Sequence, residues 1–362
     1  MAMMRAARLH EIGQPMSIDT IEVPTPRPTD VLVRVRAVGI VPNMANVINN
    51  WPTWFPHQPL AKFPAIFGLD PAGVVAKVGE QVHSIRTGDR VYVNPARKCG
   101  SCRMCRSGEP LDCPNFTFQG YFGRSQEIMK AYPYGGLCQY ITAPADALVK
   151  LPDNVGFEGA ARFGYLGTAY AAMKKLSVGP GQTFLVNGIS GMLGLNAAMI
   201  ALAMGATKIL GTGRNIALLN RVKALAPQRI EVFSADDTKQ APADGVDSLL
   251  DCLPPGASAA TMMRALYTLR RGGRAAAVGV VMENLPINGY WLMTNRIGLQ
   301  GSVWFTTGEG EDMAAMAAAG TLDLSPLEHR IFPLTQVNEA LTGMDNRNGG
   351  FTNFIVDPTR AS

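Results

Sequence analysis

The sequence contains few charged side chains and no long uninterrupted apolar stretch. Charged residues make up 17% of its 362 residues and hydrophobic residues make up 47%, whereas about a quarter of a typical globular chain is charged. This composition is typical of a large folded protein with a well-buried core. No segment reaches the roughly 18 consecutive apolar residues of a membrane span. No apolar signal-peptide core follows Arg5 and Arg8, so we expect a soluble, cytoplasmic protein.

Clusters of basic residues are also absent. The net charge is +5, but no run of lysine or arginine stands out. This argues against a nucleic-acid-binding stripe. A few arginines that bind the phosphates of a dinucleotide would also explain the modest excess of positive charge. We therefore expect a small-molecule ligand, with neither nucleic acid nor membrane as a partner.

Cysteine is scarce outside one segment. Four of the six cysteines are Cys99, Cys102, Cys105 and Cys113, a spacing typical of metal ligands rather than of a disulfide framework. Four thiolates close a tetrahedral site that suits zinc. An iron–sulfur cluster also uses four cysteines, and reduced, metal-free thiols are a third alternative. We predict one structural Zn²⁺ in the loop 95–115.

The pattern of apolar residues divides the chain into two regions. The first 150 residues carry short alternating strands, such as 31–40 and 89–93, interrupted by prolines. Strands then alternate with helices, which predicts βαβ units and a parallel sheet. The predicted strands of this region are 183–188, 208–215, 246–253 and 273–281, and a helix is predicted at 195–206. The fold class is therefore α/β, with a doubly wound parallel sheet beside a β-rich domain.

A glycine-rich turn separates the first of these strands from the helix. Its glycines, Gly188, Gly191 and Gly194, have the spacing that lets a backbone approach a pyrophosphate at a helix N-terminus. Ser190, Met192 and Leu193 belong to the same turn. Thr168 and Val278 complete the residues predicted to contact the cofactor on this side. Without the βαβ context, the glycines would indicate only a tight turn.

The end of the next strand indicates which dinucleotide is bound. NAD-selective folds usually place an acidic residue there for the ribose hydroxyls, whereas this chain reads Thr212, Gly213, Arg214 and Asn215. A guanidinium and a hydroxyl without a carboxylate favour the 2′-phosphate of NADP(H). The alternative is that Arg214 is a solvated loop residue and that both NADP(H) and NAD(H) bind.

Taken together, these motifs resemble the zinc-type alcohol dehydrogenases of the medium-chain dehydrogenase/reductase superfamily. The likeness extends over the chain and includes the segments 67–75, 78–79, 88–91, 134–136 and 151–153. It implies a Rossmann domain at 156–290 and a GroES-like catalytic domain made of residues 1–155 and 291–362. It also implies that the four cysteines hold the structural zinc of the family.

The resemblance fails at the catalytic metal. The family's three ligand positions are occupied by Val41, Leu69 and Gly164, and none of these side chains binds zinc. The residues near the lost ligands that we predict to act in catalysis are Tyr165, Asn43 and Asp70. Tyr121 is a further hydroxyl donor. His57, in an aromatic loop, is either a pocket residue or a packing residue.

These observations predict an NADP(H)-dependent oxidoreductase that acts on a ketone, aldehyde or alcohol without catalytic zinc. An ene- or imine-type reductase is the alternative, and a non-catalytic nucleotide-binding protein is a third. Apolar loops with Trp51, Trp54, Tyr290, Trp291, Trp304 and Phe305 indicate a bulky hydrophobic substrate. The apolar segment 298–304 reads as an edge strand of the Rossmann sheet, which predicts a homodimer.

Overall fold

The computed structural model of the protein describes residues 2–41, 44–55, 58–235, 237, 241–344 and 347–361. The N-terminal part is dominated by short strands. In chain order its elements are β1 (Met3–Arg8), β2 (Ser17–Glu22), β3 (Asp30–Gly39), α1 (Met44–Asn49), α2 (Trp51–Trp54), β4 (Asp70–Val78), β5 (Arg90–Val93), β6 (Ala96–Arg97), α3 (Arg103–Arg106), β7 (Thr117–Phe118), α4 (Gln126–Ala131), β8 (Tyr140–Pro144), β9 (Leu148–Lys150) and α5 (Phe157–Ala160).

Strands and helices alternate in the middle of the chain, as the apolar pattern predicts. The elements here are α6 (Phe163–Leu176), β10 (Thr183–Asn187), α7 (Met192–Ala203), β11 (Lys208–Gly213), α8 (Ile216–Ala224), β12 (Ile230–Ser234), β13 (Val246–Asp251), α9 (Ala259–Leu266), β14 (Leu269–Ala277), α10 (Gly289–Asn295) and β15 (Gly298–Gly301). The chain then ends with α11 (Thr307–Ala318), β16 (Glu328–Pro333), α12 (Val337–Gly343) and β17 (Thr352–Asp357).

The middle of the chain forms a six-stranded parallel sheet. Its strand order is β12-β11-β10-β13-β14-β15, which is the doubly wound order of dinucleotide-binding folds. The order reverses between β10 and β13, and ligands bind in the crevice outside the carboxyl ends of strands at such a point. The α/β fold class is confirmed. β15 adds a sixth strand beyond the boundary predicted at 290, so the sheet extends this domain to residue 301.

Both ends of the chain build the second domain. A seven-stranded sheet has the order β16-β17-β3-β4-β5-β9, with β8 also paired to β3. Its central strand β3 alternates apolar residues buried on one face with Arg34 and Arg36 exposed on the other. β17, from the end of the chain, lies antiparallel to β3. The N-terminal and C-terminal segments therefore share one core, as the GroES-like assignment requires.

Two apolar cores meet where the domains join. One lies within the catalytic sheet and the other packs α6 and α7 against the parallel sheet. α7 is apolar around most of its surface because it lies between the sheet and the rest of the protein. No helix among the described residues is both long enough and apolar enough to cross a membrane.

Candidate active site

The turn between β10 and α7 brings backbone close to the crevice. Gly188 has a φ of +89°, in the left-handed region that favours glycine. A Cβ atom on Gly194 would overlap the Gly188 carbonyl oxygen, so only glycine lets α7 begin this close to β10. The first N–H groups of α7, at Met192 and Leu193, have no preceding helical turn to bond to. The turn therefore has the geometry that binds phosphate at a helix N-terminus.

Beneath this turn, buried polar side chains join three strand ends. The Thr212 hydroxyl donates to Asn187 Oδ1 at 2.6 Å, and Asn187 Nδ2 donates to Asp251 Oδ1 at 2.7 Å. Burial raises the pKa of Asp251 to about 6, against hydrogen bonds that lower it. The network fixes the ends of β10, β11 and β13 under the turn. The sequence analysis did not identify Asn187 and Asp251. The sequence feature that marks each of them is a polar residue at the end of an apolar strand.

The residues predicted to select NADP(H) occupy the end of β11. The Thr212 hydroxyl is engaged in the strand-end network, so it is not free to bind a phosphate as we expected. Gly213 is buried, and a Cβ atom there would lie 2.9 Å from Ser190 Oγ. Asn215 caps α8 with its side-chain oxygen. Arg214 is exposed and has no partner among the described residues, so its guanidinium is available to bind an anion.

Thr168 and Val278, also predicted at the cofactor, come from different elements. The Val278 N–H donates to the carbonyl oxygen of Asp251 at 3.1 Å, which places the end of β14 beside the strand-end network. Thr168 lies on α6, and its hydroxyl donates to the Gly164 carbonyl oxygen at 2.7 Å. The structure therefore brings Val278 to the carboxyl edge of the sheet and places Thr168 on the helix that faces it.

Two arginines that sequence reasoning missed lie where the domains meet. Arg162, only 1% exposed, donates to the carbonyl oxygens of Gly350 and Thr352 at 2.9 and 3.0 Å and contacts Met192. Gly350 in turn donates its N–H to Ser190 in the glycine turn. The Nε atoms of Arg162 and Arg347 are buried and have no hydrogen-bond partner. Arg162 therefore links the start of α6 to the segment 350–352 beside the glycine turn, and its positive charge lies close to that turn.

The positions of the family's catalytic ligands lie in hydrocarbon surroundings. Leu69 is buried and Val41 packs partly buried against the same apolar cluster. A Cβ atom on Gly164 would overlap the carboxylate of Asp70, so a cysteine ligand does not fit there. Asn43 and His57, both predicted near this place, lie outside the described residues. Among the described residues, the only cluster of three or more metal-ligating side chains is that of the four cysteines.

Asp70 points into the protein rather than into the cleft. Its carboxylate accepts a hydrogen bond from the Tyr92 hydroxyl at 2.8 Å and another from the Gly164 N–H at the start of α6. Burial raises the pKa of Asp70 to about 7, while these bonds and the charge of Arg162 lower it. At 2% exposure Asp70 cannot touch a substrate. It fixes the first turn of α6 against β4 and β5.

Tyr165 follows Gly164 in that first turn and is half-buried against the catalytic core. Burial raises the pKa of its phenol above the usual range, as does the nearby Asp70, while Arg162 and Arg347 lower it. The Arg162 guanidinium lies 5.8 Å from the centre of the Tyr165 ring. The hydroxyl of Tyr165 donates to no described residue. The hydroxyl is therefore protonated at neutral pH, and the charges of Arg162 and Arg347 offset only part of the rise in its pKa.

Aromatic rings surround Tyr121, whose hydroxyl also donates to no described residue. Its ring centre lies 5.6 Å from that of Trp51, 5.5 Å from that of Phe67 and 5.3 Å from that of Phe122. Burial raises the pKa of Tyr121 above its usual range. This aromatic cluster belongs to the same core as Leu69 and Tyr165. The surroundings of the lost ligands thus suit an apolar ligand with few polar groups.

The four cysteine sulfurs converge at one point of the loop. All four Sγ atoms lie within 4.8 Å of one another. Cys113 Sγ lies 3.6 Å from Cys99 Sγ and 3.8 Å from Cys102 Sγ. Four sulfurs at about 2.3 Å from a tetrahedral zinc are separated by about 3.8 Å. The loop therefore already has the sulfur geometry of a closed zinc site, and a bound zinc would cross-link its two ends.

Comparison with known proteins identifies both domains. The sequence matches the alcohol dehydrogenase GroES-like domain over residues 27–153 and the zinc-binding dehydrogenase family over residues 193–319. It is 30% identical to an alcohol dehydrogenase of Geobacillus stearothermophilus over 333 residues, which cover 90% of this chain and 94% of that enzyme.

One further relative supports the same grouping, and one solved structure shares the fold. A sorbitol dehydrogenase of Bacillus subtilis is 28% identical over 344 residues, covering 93% of this chain and 92% of that enzyme. The fold matches the crystal structure of a Sinorhizobium meliloti protein, described as a zinc-binding dehydrogenase and bound to NADP, with a TM-score of 0.83 and 22% identity. That match covers 99% of this chain and all of the other.

Proposed function

Because the chain belongs to the zinc-type alcohol dehydrogenase family of the medium-chain dehydrogenase/reductase superfamily, whose members are NAD(P)-dependent oxidoreductases, we propose that it is an NADP(H)-dependent enzyme without metal at the reaction centre. It transfers hydride between the nicotinamide and a ketone, aldehyde or alcohol. The observation that carries the proposal is the pairing of an intact glycine turn with Val41, Leu69 and Gly164 at the family's ligand positions.

The proposal that the cofactor is NADP(H) rests on positive charge at two places in the crevice. The helix N-terminus that follows the glycine turn, with the charge of Arg162 close to it, fits the diphosphate. Arg214 is exposed at the end of β11, where Gly213 leaves the strand without an acid. A guanidinium binds phosphate through charge-assisted hydrogen bonds. The NADP-bound relative of the same fold is in agreement with this choice.

We assign the role of proton donor to Tyr165. When bound, the reduced nicotinamide supplies a hydride to the carbonyl carbon. As the carbonyl oxygen gains the electron pair of the broken π bond, the Tyr165 hydroxyl donates its proton to that oxygen and becomes a phenolate, which water reprotonates. The charges of Arg162 and Arg347 favour the phenolate and offset part of the rise in the pKa of Tyr165 that burial and Asp70 cause. Asp70 supports the step indirectly, by holding the helix turn that carries Tyr165.

The apolar surroundings also favour a second candidate function. Without a Lewis acid to polarise it, a simple carbonyl accepts hydride slowly. An activated C=C or C=N bond already has an electrophilic carbon. The aromatic cluster around Tyr121 and Trp51 suits a bulky apolar substrate in either case. The ene- or imine-type reductase is therefore the alternative.

A substrate panel tests the proposal and separates the two candidates. NADPH oxidation is followed with aryl ketones, aldehydes, enones and cyclic imines at equal concentration. We expect turnover with at least one carbonyl class. Turnover only with enones or imines would favour the second candidate. NADPH binding without turnover of any class would indicate a nucleotide-binding protein and overturn the enzymatic assignment.

A further inference from the structure

Trp304 has a backbone conformation that its neighbours must hold. Its φ is +60°, in the left-handed region that is unfavourable for a residue with a side chain. The other described non-glycine residues with positive φ, Ser177 and Arg296, end helices α6 and α10, where this conformation is common. No helix ends at Trp304. Such outliers persist only where surrounding contacts enforce them.

The contacts that enforce it come from the N-terminal part of the catalytic domain. The Trp304 indole N–H donates to Asn94 Oδ1 at 2.8 Å, and Asn94 Nδ2 donates to the Phe305 carbonyl oxygen at 3.1 Å. The Trp304 ring also stands edge-on against Phe118, with 4.8 Å between centres. Trp304 packs partly buried against both apolar cores. It therefore joins the nucleotide-binding domain to the catalytic domain.

Both anchors of Trp304 lie at the base of the cysteine loop. Asn94 lies between β5 and β6, and β6 leads into Cys99. Phe118 ends β7, which follows Cys113. β6 and β7 pair with each other. The buried guanidinium of Arg97 donates to the Asn94 carbonyl oxygen at 2.6 Å. The loop, its two strands and the anchors of Trp304 thus form one connected unit.

On its other side, Trp304 leads to the helix that carries the proposed proton donor. The rings of Trp304 and Phe305 stack with 5.3 Å between centres. Phe305 is fully buried and lies directly on Gly167 of α6, where a Cβ atom would overlap its ring. Gly167 is two residues from Tyr165. A shift of the segment 304–305 would therefore move the first turns of α6.

We infer that Trp304 is a positioning residue through which the cysteine loop sets the alignment of α6, and thereby of Tyr165, against the catalytic domain. The four sulfurs that fit a zinc ion would then do more than close their own loop. They would hold Asn94 and Phe118 in place, and these hold Trp304. The consequence for turnover rests on the proposed function, whereas the consequence for the position of Trp304 does not.

Fluorine NMR of the full chain labelled with 5-fluorotryptophan tests the inference directly. The chain has four tryptophans, and the resonance of Trp304 is assigned from its loss in Trp304→Phe. In Cys99→Ser, and in Asn94→Leu with its metal content unchanged, we expect the Trp304 resonance to shift or broaden. The resonance of Trp291, in the nucleotide-binding domain, should stay in place. A Trp304 resonance that does not move in Asn94→Leu overturns the inference, even if Cys99→Ser fails to fold.

Kinetics provide the second readout. Trp304→Phe keeps an aromatic ring against Phe118 but removes the indole donor. We expect kcat to fall about tenfold or more, since small displacements of catalytic groups are costly, with the Kd for NADPH and the zinc content unchanged. Tyr267→Phe, on the exposed surface of the nucleotide-binding domain, is the control. Unchanged kcat in Trp304→Phe contradicts the positioning role, whereas an inactive parent enzyme contradicts only the proposed function.

Discussion

Gly164 shows how a single position changes the chemistry available to a conserved fold. The resemblance assigns a metal ligand to this position, but the space that a side chain would fill is taken by the Asp70 carboxylate. Asp70 bonds instead to Tyr92 and to the start of α6. The Asp70 carboxylate has thus become part of the interior, and the adjacent Tyr165 has a hydroxyl that donates to no described residue.

Arg214 is the residue on which cofactor preference should depend. In Arg214→Ala we expect NADPH to bind more weakly by about 1.5–3 kcal/mol, the size of a charge-assisted hydrogen bond. NADH, which lacks the 2′-phosphate, should bind as before. Calorimetric titration of both cofactors measures this, with Lys223→Ala on α8 as a control for net charge. Equal affinity for both cofactors in the unmodified protein would refute the assignment.

Tyr165 and Tyr121 are the two competing proton donors. Loss of a general acid costs about a hundredfold or more in rate, so Tyr165→Phe should lower kcat by that factor and leave the Kd for NADPH unchanged. Tyr121→Phe should affect mainly the KM of an apolar substrate. Steady-state kinetics of the pair decides between them. If Tyr121→Phe loses the rate and Tyr165→Phe does not, the roles are reversed.

Asp70 should make stability depend on pH. Its pKa is about 7 in the folded protein and about 3.9 in an unfolded chain. Between these values the folded protein keeps a proton that the unfolded chain has lost, so the free energy of unfolding falls as pH rises, by up to about 1.4 kcal/mol per pH unit. Asp70→Asn stays neutral and should lose this component. Urea denaturation of both proteins from pH 4 to 8 measures it. Parallel curves would show that Asp70 ionises normally.

At the scale of elements, apolar periodicity predicted much of what the structure shows. The strand predicted at 183–188 is β10, and the helix predicted at 195–206 begins three residues earlier, at Met192. The helix begins earlier because the glycine turn before it is short. The run of apolar residues alone does not show where this turn ends. The segment 298–304, predicted as an edge strand of the Rossmann sheet, contains β15, which lies at the end of the parallel sheet.

The candidate active site could be predicted only in part, because several of its contacts join residues that are far apart in the chain. Glycine spacing and cysteine spacing are local, and both are visible in the sequence. Arg162, Asn94 and Asp251 act through contacts with residues far away in the chain. No pattern along the sequence marks such contacts. The engaged hydroxyl of Thr212 was missed for the same reason, because its partner lies on a neighbouring strand.

On the scale of the whole molecule, the free edge of β15 should pair with a second copy. Tyr290 and Met293, on the neighbouring helix α10, and Val303, just after β15, are 73%, 67% and 56% exposed. Such an apolar surface beside an open strand edge is typical of an interface. We expect a dimer by light scattering at micromolar concentration. Tyr290→Glu should weaken it, whereas Met3→Glu, at a distant exposed site, should not. A monomeric parent protein would contradict this prediction.

In the proposed mechanism, hydride transfer needs no metal at the reacting group. Brief treatment of the folded, active enzyme with a chelator tests this metal independence directly. We expect about one zinc per chain, bound by the cysteine loop. The rate of NADPH turnover should stay unchanged in the presence of the chelator as long as the protein remains folded. Rapid loss of turnover without unfolding, restored by added metal, would contradict it. That result would mean that a second ion acts on the substrate.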